Sequence, residues 1–222
     1  MKKVSRALLA TAAFCISGGA NAAITVFTTQ GSFNSAVTGA QVDTFNDLFS
    51  QNYNSPLNRT VGAYGYQISA ADGLFPGSDA GNIFISTNRA TNPLVFSNFT
   101  GGVSAIGGFF FGSDISGSPS FASAITLTVT DNTGSVIEVI LNPNTSSFRG
   151  FTSTGTITSL SASTTQPSSG FVWPSADNLT LAQAVAGAVP EPGTWAMMIL
   201  GFGVLGTAMR RRKGSAANLR LA

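Results

Sequence analysis

The chain has 222 residues, of which only 9% are charged, with no histidine and a single cysteine. The lack of histidine excludes Ser-His-Asp and Cys-His catalysis and any histidine-ligated zinc. The formal charge of +2 belongs to the two ends: the stretch from Ala23 to Val189 sets Arg59, Arg89 and Arg149 against Asp43, Asp47, Asp72, Asp79, Asp114, Asp131, Glu138 and Asp177, a net of −5 that leaves nucleic-acid binding without an electrostatic basis.

The chain opens with Met1-Lys2-Lys3 and Arg6, continues through a short apolar core from Ala7 to Ser17, and reaches Ala20-Asn21-Ala22. A positive start, an apolar run and small residues at that spacing are what signal peptidase reads, so residues 1–22 are expected to be a signal peptide cut after Ala22, with Ala20 as the other small cleavage-site residue. Cys15 follows Phe14, too large for a lipoprotein processing site, and is read as a filler of the signal core. The mature chain then has no cysteine, hence no disulfide or thiolate site.

The body, residues 23–188, is expected to be one domain. A short helix is predicted from Gln30 to Val37, with Thr28 or Thr29 placed to cap it and Phe33 and Val37 four apart. From there the dominant period is two. In Ile125-Thr126-Leu127-Thr128-Val129-Thr130 apolar residues alternate with threonines, Asp131-Asn132-Thr133-Gly134 supplies turn chemistry, and Ser135 to Leu141 returns with Ile137, Val139 and Leu141 on one face. Further strands are predicted at Gly65 to Ala70, Ile83 to Thr87, Leu94 to Phe99, Val103 to Gly112, Gly155 to Ala162 and Asn178 to Ala182. Many short strands separated by Gly, Pro and Asn predict an antiparallel β-sandwich.

Candidate chemistry in the body is sparse. Two of its carboxylates would suffice for a glycosidase, but none is marked by context, and each acid is read as solvated or turn-capping. Asp72-Gly73, Gly77 to Asn82 and Asp177-Asn178 are rich in oxygen yet lack the regular spacing of a calcium loop, so no metal and no cofactor is expected. Two threonine rows, Thr126, Thr128 and Thr130 and then Thr152, Thr154, Thr156 and Thr158, would present hydroxyl arrays to a polysaccharide or to ice. Trp173 or one of Tyr53, Tyr64 and Tyr66 would serve as a stacking plate, and two of the three rings Phe109 to Phe111 are expected in the core.

The end of the chain reads as an address. Val189-Pro190-Glu191-Pro192 precedes sixteen uncharged residues, Thr194 to Met209, and then Arg210-Arg211-Arg212-Lys213. As a helix this apolar run covers roughly 24 Å, a little short of the roughly 30 Å hydrocarbon core, so residues 194–209 are expected to span the inner membrane with Trp195 and the arginines reaching outward. The cations would hold that end in the cytoplasm, leaving residues 214–222 as a cytoplasmic tail and the body outside.

Pro190-Glu191-Pro192-Gly193-Thr194-Trp195-Ala196-Met197-Met198, the glycines 201, 203 and 206 and the basic cluster resemble the PEP-CTERM sorting tails of Gram-negative bacteria, in their Trp-Ala-Met-Met variety. The resemblance implies recognition by an exosortase at Pro190, Glu191, Pro192, Trp195, Arg210, Arg211 and Arg212, cleavage near Pro-Glu-Pro, and a link to exopolysaccharide or biofilm. More loosely, Phe33-Asn34, Val42 to Phe45, Phe96, Val103 to Phe111 and Asp177 to Leu179 resemble the jelly-roll-like β-sandwiches that often precede such tails, some relatives of which bind carbohydrate. The sequence thus predicts an exported, non-catalytic envelope or matrix protein, with a glycan-binding module or a glycan-active enzyme as the alternatives.

Overall fold

A computed structural model describes residues 24–185 together with Leu200 and Phe202. The predicted signal peptide, with Ala20 and Ala22, lies outside the described residues, as do Pro190, Glu191, Pro192, Trp195 and Arg210 to Arg212. Among the described residues no helix is long and apolar enough to cross a membrane. The chain divides into two units, residues 1–184 and 185–222.

The first unit runs, in order, through β1 (Ile24–Phe27), α1 (Gln30–Ser35), β2 (Val37–Asp43), β3 (Leu57–Val61), β4 (Tyr64–Ser69), β5 (Gly77–Asp79), β6 (Asn82–Ser86) and β7 (Leu94–Ser97). It continues through β8 (Ala105–Ser113), β9 (Pro119–Ser120), β10 (Ala124–Asp131), β11 (Ser135–Leu141), β12 (Phe148–Ser153), β13 (Ile157–Thr164) and β14 (Trp173–Ala184). An eight-stranded sheet has the order β1-β12-β8-β14-β6-β5, with β2 also on β14 and β9 also on β8; a six-stranded sheet has the order β11-β10-β13-β7-β4-β3. Every pairing is antiparallel.

The period-two pattern explains the packing. Ile125, Leu127 and Val129 of β10, Leu160 of β13, Phe96 of β7 and Ile68 of β4 meet Ile85, Ile106, Phe110, Phe151, Ala176 and Leu181 of the larger sheet, and all are fully buried. The alternate residues of the six-stranded sheet point outward, and in the larger sheet they enter a second packed layer. There Phe33 of α1 sits with Ala105, Phe148 and Ala182, flanked by Phe27, Val37 and Phe109. The helix can approach because the sheet has glycine beneath it: a Cβ at Gly150 would overlap the Phe33 ring, and one at Gly107 would lie 2.9 Å from Phe148 Cζ.

Further along this outer face Phe84 and Phe111 meet edge to face at 4.9 Å, enclosed where Ser78 N donates to Gly117 O and ties β5 to the β8–β9 connection. Phe109, Phe110 and Phe111 are therefore all packed, but only Phe110 lies between the sheets.

Two ion pairs link the sheets, one at each edge strand of the six-stranded sheet. At β11, Glu138 receives Arg149 Nε of β12 at 3.0 Å. At β3, Arg59 donates to both oxygens of Asp43 at the end of β2, at 3.0 and 2.7 Å, and to both of Asp47, at 2.6 and 2.7 Å.

The helix starts where predicted, with Thr29 Oγ1 accepting from Ser32 N. It ends at Ser35, and Val37 belongs to β2.

Candidate functional site

The acids named in the sequence are mostly engaged. Asp43 takes Arg59, the Tyr66 hydroxyl at 2.7 Å and the Phe45 amide at 3.0 Å. The hydrogen bonds from Arg59 hold Asp47 below the usual carboxylate range, while Asp47 in turn raises Arg59. Burial, with Asp43 adding to it, pushes Tyr66 up. Asp43 is thus neither solvated nor merely a turn cap: it is a buried partner of an ion pair, because β3 brings Arg59 to it from 16 residues away.

Turn-capping is what Asp114 and Asp131 do. Asp114 Oδ1 accepts from the Ser116 and Ser118 amides. Asp131 Oδ1 accepts from the Thr133 and Gly134 amides, and its Oδ2 from Ser153 Oγ. Burial works to raise the Asp131 carboxyl, but the bonds from Ser153, Thr133 and Gly134 outweigh it and hold the group at about 2.

The oxygen-rich segments fold into a hairpin and side-chain bridges. Residues 77–82 form the β5–β6 hairpin, turning through Ala80 and Gly81 at φ of 48° and 91°. Asn82 Nδ2 crosses to Asp177 Oδ2 at 2.8 Å, and Asp72 receives Asn92 Nδ2 at 2.8 Å. Among the described residues no three His, Cys, Asp or Glu side chains converge. Asp177 sits at a bulge in β14, where the register against β8 shifts and Asn178 takes a φ of 49°. Its burial raises its carboxyl.

Of the proposed stacking plates, Tyr64 and Tyr66 are buried, with hydroxyls donated to Gly39 O and to Asp43, and Tyr53 is half-buried with its hydroxyl accepting from Phe49 N. Trp173 differs. At the start of β14 and opposite Ser113, it helps line a cleft of about 260 Å³ with Phe75, Ser86, Asn88, Asp114 and Ile115. Trp173 packs edge to face on Phe171, itself 63% exposed, and the loop before them is fastened by Gln166, which bonds Val172 through both its amide nitrogen and its oxygen.

One threonine row survives and one does not. Thr126, Thr128 and Thr130 lie in a lane between Ser159, Ser161 and Ser163 of β13 and Ile137 and Val139 of β11. Thr152 ends in β12, Thr154 and Thr156 fall in a connection, and Thr158 joins the other sheet, so the second array is broken.

The tail is decided by its sequence. The family model of the PEP-CTERM protein-sorting motif matches residues 188–213. The chain carries this sorting motif. The PEP-CTERM match spans Pro190 to Pro192, Trp195 and the whole basic cluster, and it implies an exported protein, processed by an exosortase-type enzyme at a membrane-anchored C-terminus. Comparison with curated proteins and with solved structures gives no match. Within the motif, Leu200 and Phe202 are helical and expose 62% and 69% of their surface.

Proposed function

We propose that this protein is a non-catalytic β-sandwich delivered to the cell surface or extracellular matrix and engaged there with exopolysaccharide. In this reading signal peptidase cuts after Ala22, residues 194–209 hold the chain transiently in the inner membrane with Arg210 to Arg212 on the cytoplasmic side, and an exosortase then acts near Pro190-Glu191-Pro192. The observation that carries it is the PEP-CTERM match at residues 188–213, which begins four residues after the last strand ends at Ala184. Two prolines fix φ on both sides of Glu191 and keep a helix from extending backward, so the triplet suits a rigid, extended recognition segment.

Two features of the body support the rest. Consecutive strands pass repeatedly between the sheets, β7 in one, β8 in the other, then β10, β12, β13 and β14, which favours kinship with jelly rolls. The carboxylates Asp43, Asp131 and Glu138 are held by structural partners, which favours a binding role over glycosidase chemistry.

The test is in a Gram-negative host that carries an exosortase. Glu191→Gln, or Pro190 and Pro192 to Ala, should leave export intact while full-length protein accumulates in the inner membrane. Unchanged processing of these variants would remove the sorting role of the triplet.

A further inference from the structure

The cleft beside Trp173 has the makings of a ligand site. Its floor includes Ser86 and Ser113, and Ser175 backs them from behind, so that three buried hydroxyls form a chain. Ser175 Oγ donates to Ser113 Oγ at 2.9 Å, and Ser86 Oγ donates to the Pro174 carbonyl at 3.0 Å. With both of those protons committed, the Ser113 proton has only a 3.4 Å contact with Ser86 Oγ, a weak bond. Ser113 is 1% exposed and lines the cleft, so its hydroxyl is a buried donor with capacity to spare for a guest.

The walls are aromatic and aliphatic: Trp173 and Phe75, with Ile115, 82% exposed, at the mouth. The residue types that line the cleft include one acid, Asp114, and no cation. Trp173 is preorganised, since Gln166 fastens the preceding loop: its Nε2 shares two protons among Ala90 O, Thr164 Oγ1 and Val172 O, and its Oε1 accepts from Val172 N.

A flat ring to cover an apolar face, a hydroxyl floor to meet hydroxyls, and a negative rim without a compensating cation together select an uncharged polyhydroxylated ring. The volume of about 260 Å³ falls below the roughly 300–1,000 Å³ typical of clefts for drug-sized ligands, which suits a single ring and not a bound run of polymer. We propose that the Trp173 cleft binds one neutral sugar residue, at a chain end or branch of the polysaccharide, with Trp173 as the stacking plate and Ser113 as a hydrogen-bond donor. This rests on the reading of the body as a polysaccharide-engaging module.

The test uses the mature full chain purified in mild detergent and an array of gluco-, galacto- and manno-configured neutral oligosaccharides beside their glucuronate-bearing counterparts, followed by calorimetry on the best binder. A neutral oligosaccharide should bind in preference to its uronate counterpart. Trp173→Ala should weaken that binding by about tenfold or more, as truncation of a central aromatic does, whereas Trp173→Phe should keep most of it. Ile115→Asp, at a surface position where unfolding is not a concern, should weaken it further by charging the mouth.

Failure of every neutral oligosaccharide to bind, preference for the uronates, or equal binding by Trp173→Ala would overturn the proposal. C-terminal processing of the same variants is scored in parallel. Absent neutral-sugar binding by the unsubstituted chain, or undiminished binding by Trp173→Ala, with normal processing removes the cleft assignment alone, and absent processing with the expected binding pattern removes the sorting reading alone.

Discussion

The outer faces of the two sheets are built from similar strands and have opposite fates. On the six-stranded sheet the outward residues are Thr126, Thr128 and Thr130, Ser159, Ser161 and Ser163, Ser97 and Gln67, all uncharged, with Ile137 at 67% exposure on the edge strand. On the eight-stranded sheet the outward residues are Phe27, Phe109, Phe111, Phe148, Phe84 and Trp173, and most are covered by α1 or by the β5 and β9 segments. A chain with 17 phenylalanines thus buries both sides of one sheet and leaves the other in water. The difference places the proposed sugar site: the cleft lies at the margin of the covered face, where aromatic packing gives out and Ser86 and Ser113 begin.

The largest effects should come from placing one charge on three positions. Phe111→Asp on the covered face and Val129→Asp between the sheets each bury an unpaired carboxylate and should cost several kcal/mol, on the order of 4 or more, by denaturant unfolding. Thr128→Asp, one residue from Val129 but on the open face, should stay within about 0.5 kcal/mol. If Thr128→Asp did as much damage as Phe111→Asp, the two outer faces would be equivalent.

A smaller pair of substitutions sharpens the account of the cover. Phe33→Ala should cost about 3–5 kcal/mol, because Phe33 is fully buried against the sheet. Gly150→Ala, which forces a methyl into that ring, should cost about 1–3 kcal/mol. A neutral Gly150→Ala would mean that α1 rides loosely on β12.

These contrasts also show what the sequence could say. The hairpin from Ile125 to Leu141 was legible because strict alternation and Asp-Asn-Thr-Gly are local signals, but its facing was not: the register pairs Thr128 with Ile137 and Thr126 with Val139, so Ile137, Val139 and Leu141 share one face as expected yet lie exposed on the threonine side, while Val136, Glu138 and Ile140 face inward. β14 was legible only from Asn178 onward: Pro174 and Asp177-Asn178 look like loop, and a bulge absorbs the latter. β1, β2, β3, β5, β9 and β12 were missed; in β2 and β12, Gly39 and Gly150 weaken the strand pattern while serving a turn of the backbone and the approach of Phe33.

Of the candidate site, Trp173 was visible as a residue type. Its serine floor was not, because Ser86, Ser113 and Ser175 come together only through sheet pairing. The Arg59 cluster was hidden for the same reason.

The smallest expected effect is electrostatic. Asp131, held near 2 in the fold against about 3.9 unfolded, contributes stability that is present above about pH 4 and is lost as pH falls toward 2. Asp177, raised by burial, acts in the opposite sense, favouring the fold when protonated and losing that contribution as pH rises through its folded value. The acid-side fall in melting temperature should therefore flatten in Asp131→Asn and steepen in Asp177→Asn. An unchanged slope in Asp131→Asn would show that its hydrogen bonds do not favour the ionised form.

The central claim, that the tail is read and removed while the sandwich is delivered, is tested most directly by the intact mass of the mature protein from its native host. The account predicts an N-terminus at Ala23 and a C-terminus close to Pro190-Glu191-Pro192, without residues 195–209. A mature protein that keeps Trp195 to Met209 would contradict it and reduce the tail to an anchor.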